Sequence, residues 1–245
     1  MSWNQQLQKF AKELGADLFG VADLARAHDA ICKQGGSSLA AYPRAITVGI
    51  RLLDTFVDEL PGARQDRAVA MTFKQHAYDL INARLDAITS RTSSVLQNAG
   101  HKAFPIPASQ ILDTQKLIGR FSHKIAAHLA GLGWIGRSCL LVTPQFGPRV
   151  RWATVLTDAP LTTGKPMAPR CGKCSKCVEL CPVSAFTGRP FSEDEPRSAR
   201  FDVAKCQQNF DEVEKEVGVR VCGLCVYACP HGNSKKNRPK AAARA

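Results

Sequence analysis

Two cysteine-rich stretches decide the fold of this chain: Cys171-Gly-Lys-Cys174-Ser-Lys-Cys177-Val-Glu-Leu-Cys181-Pro182 and Cys222-Gly-Leu-Cys225-Val-Tyr-Ala-Cys229-Pro230. The first has the spacing C-x2-C-x2-C-x3-C-P, which bacterial ferredoxins use to bind a [4Fe–4S] cluster. The second has the same spacing, except that Val219 stands at its first position. Three thiolates on one tight loop reach three corners of a cube, and a short helix carries the fourth towards a neighbouring cube. The spacing therefore predicts two clusters with crossed ligation.

Eight of the ten cysteines divide into two ligand sets on this interpretation. The first cluster takes Cys171, Cys174, Cys177 and Cys229, and the second takes Cys181, Cys206, Cys222 and Cys225. Cys206, sixteen residues before Cys222, supplies the ligand that the second motif lacks. The alternative for Cys206 is a buried free thiol, which would leave the second cluster with three protein ligands and an open iron.

Two other uses of cysteine fit the sequence less well. A disulfide framework needs an oxidising compartment, and the start of the chain has no apolar segment typical of a secretory signal. Structural zinc sites usually pair two C-x2-C motifs across a long spacer. No stretch approaches the ~18 consecutive apolar residues of a membrane helix, so we expect a cytoplasmic protein with no membrane partner.

Length and charge predict how the chain is divided. The 245 residues, 44% of them apolar, fit one or two domains. We expect a domain over 1–163, a ferredoxin-like domain over 164–233 and a basic flexible tail over 234–245. The formal net charge is +12, and the acid-free tail leaves open either a solvated end or a contact with a polyanion such as RNA.

Helices and strands are mixed in the first domain. Apolar spacing predicts a helix over residues 3–14 and a long helix over 63–97. The expected buried face of the long helix carries Ala77, Ile81, Leu85, Ile88 and Val95. Apolar runs predict strands near 17–22, 45–52, 103–106, 139–143 and 150–157. This mixture favours the α+β class.

A glycine-rich loop follows a predicted helix, with Gly131, Gly133 and Gly136 inside six residues. Glycine at this density lets the backbone approach a neighbouring group closely. The order is not that of a Rossmann phosphate loop, which follows a strand and opens a helix. The residues alone leave open a helix cap with a tight turn.

The segment His123-Lys-Ile-Ala-Ala-His-Leu-Ala-Gly-Leu-Gly-Trp-Ile-Gly-Arg137, with the two cysteine runs and Ala204-Lys-Cys206, resembles the epoxyqueuosine reductases. These are cobalamin and iron–sulfur enzymes of tRNA queuosine biosynthesis, related through their core to the reductive dehalogenases. The likeness covers most of residues 40–231 and is strongest from residue 123 onward. It indicates a short member of the family without the C-terminal helical-repeat domain.

The resemblance implies a layout for the whole molecule. An N-terminal α/β domain holds a base-off corrinoid (cobalamin) against a bacterial 2[4Fe-4S] ferredoxin-like domain, and Cys206 binds the second cluster. The loop residues expected near that cofactor are Gly131, Gly133, Trp134, Gly136 and Arg137. The implied partners are an external electron donor of the ferredoxin or flavodoxin type and a small-molecule or tRNA-derived substrate.

The chain departs from the family at its proton-donor aspartate. The best match to that aspartate is Ala108, and Asp113 lies five residues further on. The catalytic residues and the substrate are therefore unknown, and a second hypothesis is a non-catalytic two-cluster electron carrier or cofactor-binding partner protein. We expect His123 and His128 to be surface or capping residues, and Cys139 to be a buried strand thiol, with a cofactor contact as the alternative.

Overall fold

A computed structural model describes residues 1–113 and 117–232. The strands are β1 (Leu18–Asp23), β2 (Arg44–Arg51), β3 (Ala103–Ile106), β4 (Trp134–Ile135), β5 (Leu141–Val142) and β6 (Val150–Thr157). The α-helices are α1 (Trp3–Glu13), α2 (His28–Gly35), α3 (Ser37–Ala40), α4 (Asp54–Asp58), α5 (Arg67–Lys74), α6 (Ile81–Asn98), α7 (His123–Leu129), α8 (Lys176–Glu179), α9 (Val203–Val217) and α10 (Leu224–Tyr227). The α+β class is confirmed.

A four-stranded antiparallel sheet forms the centre of the first domain, in the order β1-β2-β6-β3. β2 and β6 are its long inner strands, and their sequences RAITVGIR and VRWATVLT are almost wholly buried. Apolar and β-branched residues suit a strand that is covered on both faces. β4 and β5 form a separate two-stranded ribbon next to the glycine loop.

Helices cover both faces of this sheet. α6 contacts β2, β3 and β6, whereas α7 contacts β1, β2 and β6. Ile46, Val48 and Val155 share one apolar core with Leu85 of α6. Ala45 and Leu156 point to the opposite side, into a second core that includes residues of α7. The alternation of neighbouring residues between the two cores follows from the period of two in a strand.

The predicted long helix contains a π-helical turn over Gln75–Leu80, between α5 and α6. Ala77, Ile81, Leu85 and Ile88 are buried, as expected, but Val95 is 36% exposed. The buried face passes instead through Thr92 and Leu96. Thr92 is tolerated there because its hydroxyl donates to the carbonyl oxygen of Ile88 at 2.8 Å, so an apolar pattern alone assigns this end of the helix wrongly.

The cysteine-bearing segment packs into the core of the first domain. Val213, Val217, Val219 and Val221 belong to the same buried cluster as the residues of α1 and α6. The boundary predicted at residues 163 and 164 stays a prediction, and this shared core ties the two parts together. The tail predicted over 234–245 lies outside the described residues. Within the described ranges, no helix combines the length and hydrophobicity needed to cross a bilayer.

Candidate iron–sulfur and cofactor sites

The two cysteine runs fold into similar loops. In each run the first cysteine is followed by a glycine with positive φ, Gly172 at 53° and Gly223 at 96°. A single helical turn then follows, α8 in the first run and α10 in the second. The left-handed residue reverses the chain tightly without the steric cost that a Cβ would bring, so the thiols of each run share one loop.

The first group of thiols consists of Cys171, Cys174, Cys177 and Cys229. Burial, opposed by a backbone hydrogen bond at His231 and assisted by the other three thiols, raises the pKa of Cys229 to about 11. The pKa of Cys177 is likewise raised by burial and then by Cys171 and Cys174. Such mutual effects need short separations, so the structure brings the end of the second run to the first loop.

The second group consists of Cys181, Cys206, Cys222 and Cys225. Burial raises the pKa of Cys206 to about 11, with further contributions from Cys222 and Cys181. The pKa of Cys225 is also raised, first by burial and then by the other three thiols of the group. Cys206 comes from α9, which begins at an N-cap formed by Asp202, whose carboxylate accepts from the N–H of Lys205 at 3.1 Å. The thiols that affect one another's pKa are compatible with the two predicted ligand sets, and the assignment of each ligand stays a prediction.

The two groups lie next to each other. Cys177 of the first group also raises the pKa of Cys225 of the second group. The helices that follow the two loops, α8 and α10, are in contact. All ten cysteines are free thiols. Across the described ranges, no three His, Cys, Asp or Glu side chains converge closely enough to share a single metal ion. An iron–sulfur cube holds its four thiolates further apart than a mononuclear ion does.

Several N–H groups point at the cysteine sulfurs. The indole Nε1 of Trp134 donates to Cys171 Sγ at 3.4 Å, and the backbone N–H of Ala185 donates to Cys181 Sγ at 3.3 Å. Hydrogen bonds to cysteine sulfur are one of the ways in which proteins set cluster potentials. Eight thiols in two groups of four, with N–H donors aimed at their sulfurs, fit a pair of [4Fe–4S] clusters.

The glycine loop packs against protein. A Cβ on Gly131 would lie 2.5 Å from the carbonyl oxygen of Lys165, and one on Gly133 would lie 2.3 Å from that of Val142. At Gly136 it would lie 2.8 Å from Val142 Cγ2 and 3.5 Å from Cys171 Sγ. The glycines are needed for close approach, as expected, but their neighbours are protein backbone and the first thiol group.

Trp134 and Arg137 also face the cysteine-bearing segment. Trp134 is 1% exposed and lies edge-on to His231, with ring centroids 4.9 Å apart. Arg137 donates to the carbonyl oxygens of Gly172, at 2.9 Å, and Gly188. The contact predicted between this loop and a corrinoid stays a prediction. The contacts in the structure join the loop to the first thiol group.

A cavity of about 670 Å³, open to solvent, is lined by α7, by residues 106–110 and 117–122 and by residues of the 191–200 segment. Its apolar wall includes Ile106, Phe121, Ile125, Leu129 and Ile135. Of the described residues 131–137, Ile135 lines this cavity, and the five loop residues predicted to contact a cofactor do not. A concave, largely apolar site of this size is typical of a ligand or cofactor pocket.

The cavity adjoins the second thiol group. Lys124 lines it, and the nearby Cys225 thiol is among the groups that affect the pKa of Lys124, which burial lowers. Arg151 also lines it, and its guanidinium lies 4.4 Å from the ring centroid of Tyr78. Burial raises the pKa of Tyr78, and Cys225 and two other thiols of the group raise it further. Tyr78 thus lies between the thiols and the cavity.

Sequence reasoning missed Tyr78, Lys124 and Arg151. Each belongs to a different element, so no local motif joins them. A weak signal was available in Arg151, since it is a charged residue in an otherwise apolar strand sequence. A charge at such a position has to reach either solvent or a cleft.

The other predicted residues lie around the same cavity. Ala108, the residue expected to match the family's aspartate, lines the cavity, whereas Asp113 is not among the described lining residues. Among the described residues, the carboxylates that line the cavity are Glu193 and Glu195. Glu193 pairs with Arg26 at 3.0 Å, and Glu195 pairs with Arg189. The described wall therefore offers no unpaired acid.

His123 and His128 are structural residues of this wall. His123 bonds to Thr154 Oγ1 at 2.8 Å and to the carbonyl oxygen of Pro107 at 3.0 Å, and burial lowers its pKa to about 4. His128 is 6% exposed and bonds to the carbonyl oxygen of Gly133 at 3.2 Å. His128 fills the interior, so a surface position is wrong for it, whereas His123 is half-buried at the cavity wall. Cys139 is buried as expected, but it lies in a turn with φ of 55°, before the strand β5 rather than in it, and it lines the cavity.

Comparison with known proteins agrees with this geometry, first at the level of class. Residues 170–232 match the family model of the 4Fe-4S double cluster binding domain. The chain therefore contains an iron–sulfur domain of this class, preceded by an α+β domain.

The individual relatives are epoxyqueuosine reductases. The enzyme of Bacillus cereus is 29% identical over 51% of this chain and 32% of its own length. That of Pseudomonas aeruginosa is 25% identical over 92% of this chain and 68% of its own length, and that of Atelocyanobacterium thalassa is 34% identical over 46% and 38%. The resemblance seen in the motifs is confirmed. Several of these matches span only about a third of the relative.

Solved structures show the same fold. A catabolic reductive dehalogenase in complex with 3-bromo-4-hydroxybenzoic acid superposes with a TM-score of 0.68 at 20% identity, covering 93% of this chain and 31% of that one. An epoxyqueuosine reductase with an epoxyqueuosine-modified tRNA stem loop superposes with a TM-score of 0.59 at 18% identity, covering 93% and 64%. The chain thus has the reductive dehalogenase-like fold.

Proposed function

We propose that this chain is an iron–sulfur oxidoreductase that relays electrons through two [4Fe-4S] clusters to a corrinoid in the cavity. Cys171, Cys174, Cys177 and Cys229 are the proposed ligands of the first cluster, and Cys181, Cys206, Cys222 and Cys225 those of the second. The observation that carries the proposal is the position of the second thiol group, next to both the first group and the cavity wall. This arrangement supports electron transfer from the second cluster to a reducible ligand in the cavity.

The protein's own residues position and shield this route. Tyr78 and Arg151 stack between the second thiol group and the cavity, and Arg151 is held by Asn82 Oδ1 at 2.9 Å from its Nη2. The apolar wall excludes water from one side of the ligand. A bound corrinoid would supply the reductive cobalt chemistry, while the protein supplies orientation and electrostatics. Because the cavity is open, a ligand larger than its 670 Å³ can extend beyond it.

Proton supply distinguishes this chain from its relatives. Ala108 stands where the family's aspartate is expected, and its N–H donates to Asp86 Oδ1 at 2.8 Å. With no unpaired carboxylate on the described wall, we propose that the proton comes from the substrate or from water. This supports a substrate other than epoxyqueuosine that carries its own acidic group.

Anaerobic reconstitution followed by metal analysis and visible spectroscopy tests the proposal. We expect about eight irons per chain and a shift of the corrinoid bands when cobalamin is added. Cys206→Ala should lower the iron content or convert one cluster to a three-iron form, while Cys32→Ala, at a thiol on α2 outside both groups, should leave it unchanged. Unchanged corrinoid bands together with no co-elution of cobalt would refute the corrinoid assignment.

A second candidate is a two-cluster electron carrier or cofactor-binding partner protein without catalysis. The replacement of the expected aspartate by Ala108 at the cavity wall favours it. A chain that holds its irons and exchanges electrons with a partner, but neither binds nor reduces a ligand in the cavity, would establish this candidate. Turnover that depends on cavity residues would exclude it.

The partners follow from the proposed reaction. A ferredoxin or flavodoxin type donor would deliver electrons to the first cluster, in a reducing compartment such as the cytoplasm. A small molecule or a tRNA-derived nucleoside would be the substrate. Reduction of the clusters by stoichiometric reduced flavodoxin or ferredoxin, followed by absorbance, tests the donor. Comparison of a modified tRNA stem loop with the free nucleoside tests the substrate.

A further inference from the structure

We propose that the inner wall of the cavity binds an oxyanion, the carboxylate or phosphate of a small ligand, through Lys124, Arg200 and Arg120. This rests on the proposed function only in taking the cavity as the ligand site. The three residues come from α7, from the 191–200 segment and from the chain just before α7, and all three line the cavity.

Arg200 is the strongest observation. Its side chain lines the cavity, yet the residue is 5% exposed. Its Nε and Nη1 are enclosed and, among the described residues, have no hydrogen-bond partner. Its contact is with the face of Phe191, at 4.7 Å from the ring centroid. A buried charge without a counter-charge is costly, so the guanidinium requires an anion close by.

Two other described arginines with an enclosed nitrogen, Arg149 and Arg220, have carboxylate partners. Arg149 contacts Asp54 and Asp58 at 3.1 and 2.7 Å, and Arg220 contacts Asp211 and Glu214. Each has one nitrogen without a partner, but each charge is neutralised. Arg200 differs because no carboxylate among the described residues pairs with it.

Lys124 adds a second positive charge at the same place. Its Nζ donates to the carbonyl oxygen of Cys139 at 2.8 Å, and no carboxylate in the described ranges pairs with it. Its pKa is lowered, first by burial and also by the neighbouring Arg197 and Arg200. Like charges held together in a poorly solvated cleft repel one another. An oxyanion between them would remove this repulsion and satisfy the free donors.

Arg120 completes the cationic side. Its guanidinium lies 5.2 Å from the ring centroid of Phe104 and bonds weakly to Ser38 Oγ at 3.4 Å. The carboxylates in the described lining, Glu193 and Glu195, are already paired, so they leave these cations unopposed. Other lining residues, such as Ile106, Phe121 and Leu129, are apolar. The chemistry fits an anionic head group attached to an apolar or planar body.

The test uses the full chain with its clusters loaded, and benzoate, benzamide and inorganic phosphate as probes. Benzamide has the shape of benzoate without its charge. We expect benzoate or phosphate to raise the thermal unfolding midpoint saturably at constant ionic strength, and benzamide and chloride not to do so. Lys124→Gln and Arg120→Gln should each weaken anion binding roughly 10-fold or more. Arg44→Gln, at a half-buried arginine that donates to the carbonyl oxygen of Ala159 away from the cavity, should not change it.

Equal effects of benzoate and benzamide, together with equal effects of phosphate and chloride, would overturn the inference. So would anion binding that survives both cavity substitutions. Lys124→Gln and Arg120→Gln replace partly exposed side chains, so the conclusion does not depend on whether Arg200→Gln folds. Iron content and corrinoid binding are measured on the same samples. If a corrinoid binds but anions do not, the oxyanion site is wrong and the proposed function stands.

The source of the oxyanion is resolved by comparing cobalamin with cobinamide, which lacks the nucleotide tail and its phosphate. If the site takes the phosphodiester of the corrinoid, phosphate should compete with cobalamin, and Lys124→Gln should weaken cobalamin but not cobinamide. If the site takes a second molecule, benzoate or phosphate should bind equally well with the corrinoid already present.

Discussion

Replacing Trp134 with phenylalanine should lower the midpoint potential of the first cluster. The indole N–H donates to Cys171 Sγ at 3.4 Å from a residue that is 1% exposed. A hydrogen-bond donor stabilises the more negative, reduced state more than the oxidised state. Phenylalanine keeps most of the packing and removes the donor, so the reduced state loses the larger share.

The magnitude follows from the energy of the bond. A hydrogen bond to a charged acceptor contributes ~1.5–3 kcal/mol. If about a third of that differs between the two redox states, the change is ~0.5–1 kcal/mol. At about 59 mV per tenfold change for one electron, this corresponds to a decrease of roughly 20–45 mV.

Anaerobic redox titration followed by electron paramagnetic resonance measures this shift for each cluster. The second cluster should keep its potential, because Trp134 makes no sulfur contact in that group among the described residues. Trp152→Phe is the matched control, since Trp152 is buried on β6 and packs with Leu18 and Val150. An unchanged or higher potential for the first cluster, or a shift confined to the second, would refute the reasoning.

Gly133→Ala should lower the thermal midpoint by roughly 6–12 °C, because its Cβ would lie 2.3 Å from the carbonyl oxygen of Val142 and overpacking costs up to ~3 kcal/mol. Differential scanning calorimetry of the loaded protein measures it. His123→Gln should reduce the loss of stability in acid. The pKa of His123 is about 4 in the folded protein against an ordinary 6.5. The neutral imidazole therefore contributes fully to the free energy of unfolding above pH 6.5, and this contribution is lost as the pH falls from 6.5 through 4. From pH 8 to pH 5 the wild type should lose ~2 kcal/mol more than the variant, measured by denaturant unfolding.

Two matched variants control these measurements. Gly62→Ala adds a Cβ with no atom within 4 Å and should leave the midpoint nearly unchanged. A similar loss at both glycines would contradict the close-packing argument. His28→Gln changes an exposed histidine that bonds to Asp29 and should follow the wild type in acid. If His123→Gln also follows it, the buried imidazole is not the source of the pH dependence.

The double-cluster domain could be predicted from the sequence because the spacing within each cysteine run is local chemistry. Cys171, Cys174 and Cys177 lie on one loop, and the shape of a cube requires the following cysteine to leave it. The elements of the central sheet were also predictable, since β2 and β6 are long apolar runs. The far end of α6 was not, because buried threonines such as Thr92 look polar in the sequence but satisfy their hydroxyls within the helix.

The surroundings of the cavity were decided by tertiary structure. Lys124, Arg151 and Arg200 lie on three separate segments, and only the folded sheet with its covering helices brings them to one cavity. The glycine loop is a second example. Its composition predicts that another group approaches it closely, but the pairing of β4 with β5 determines that this group is protein backbone. Ligand spacing is encoded within a few residues, whereas charge in a cleft depends on which distant elements pack together.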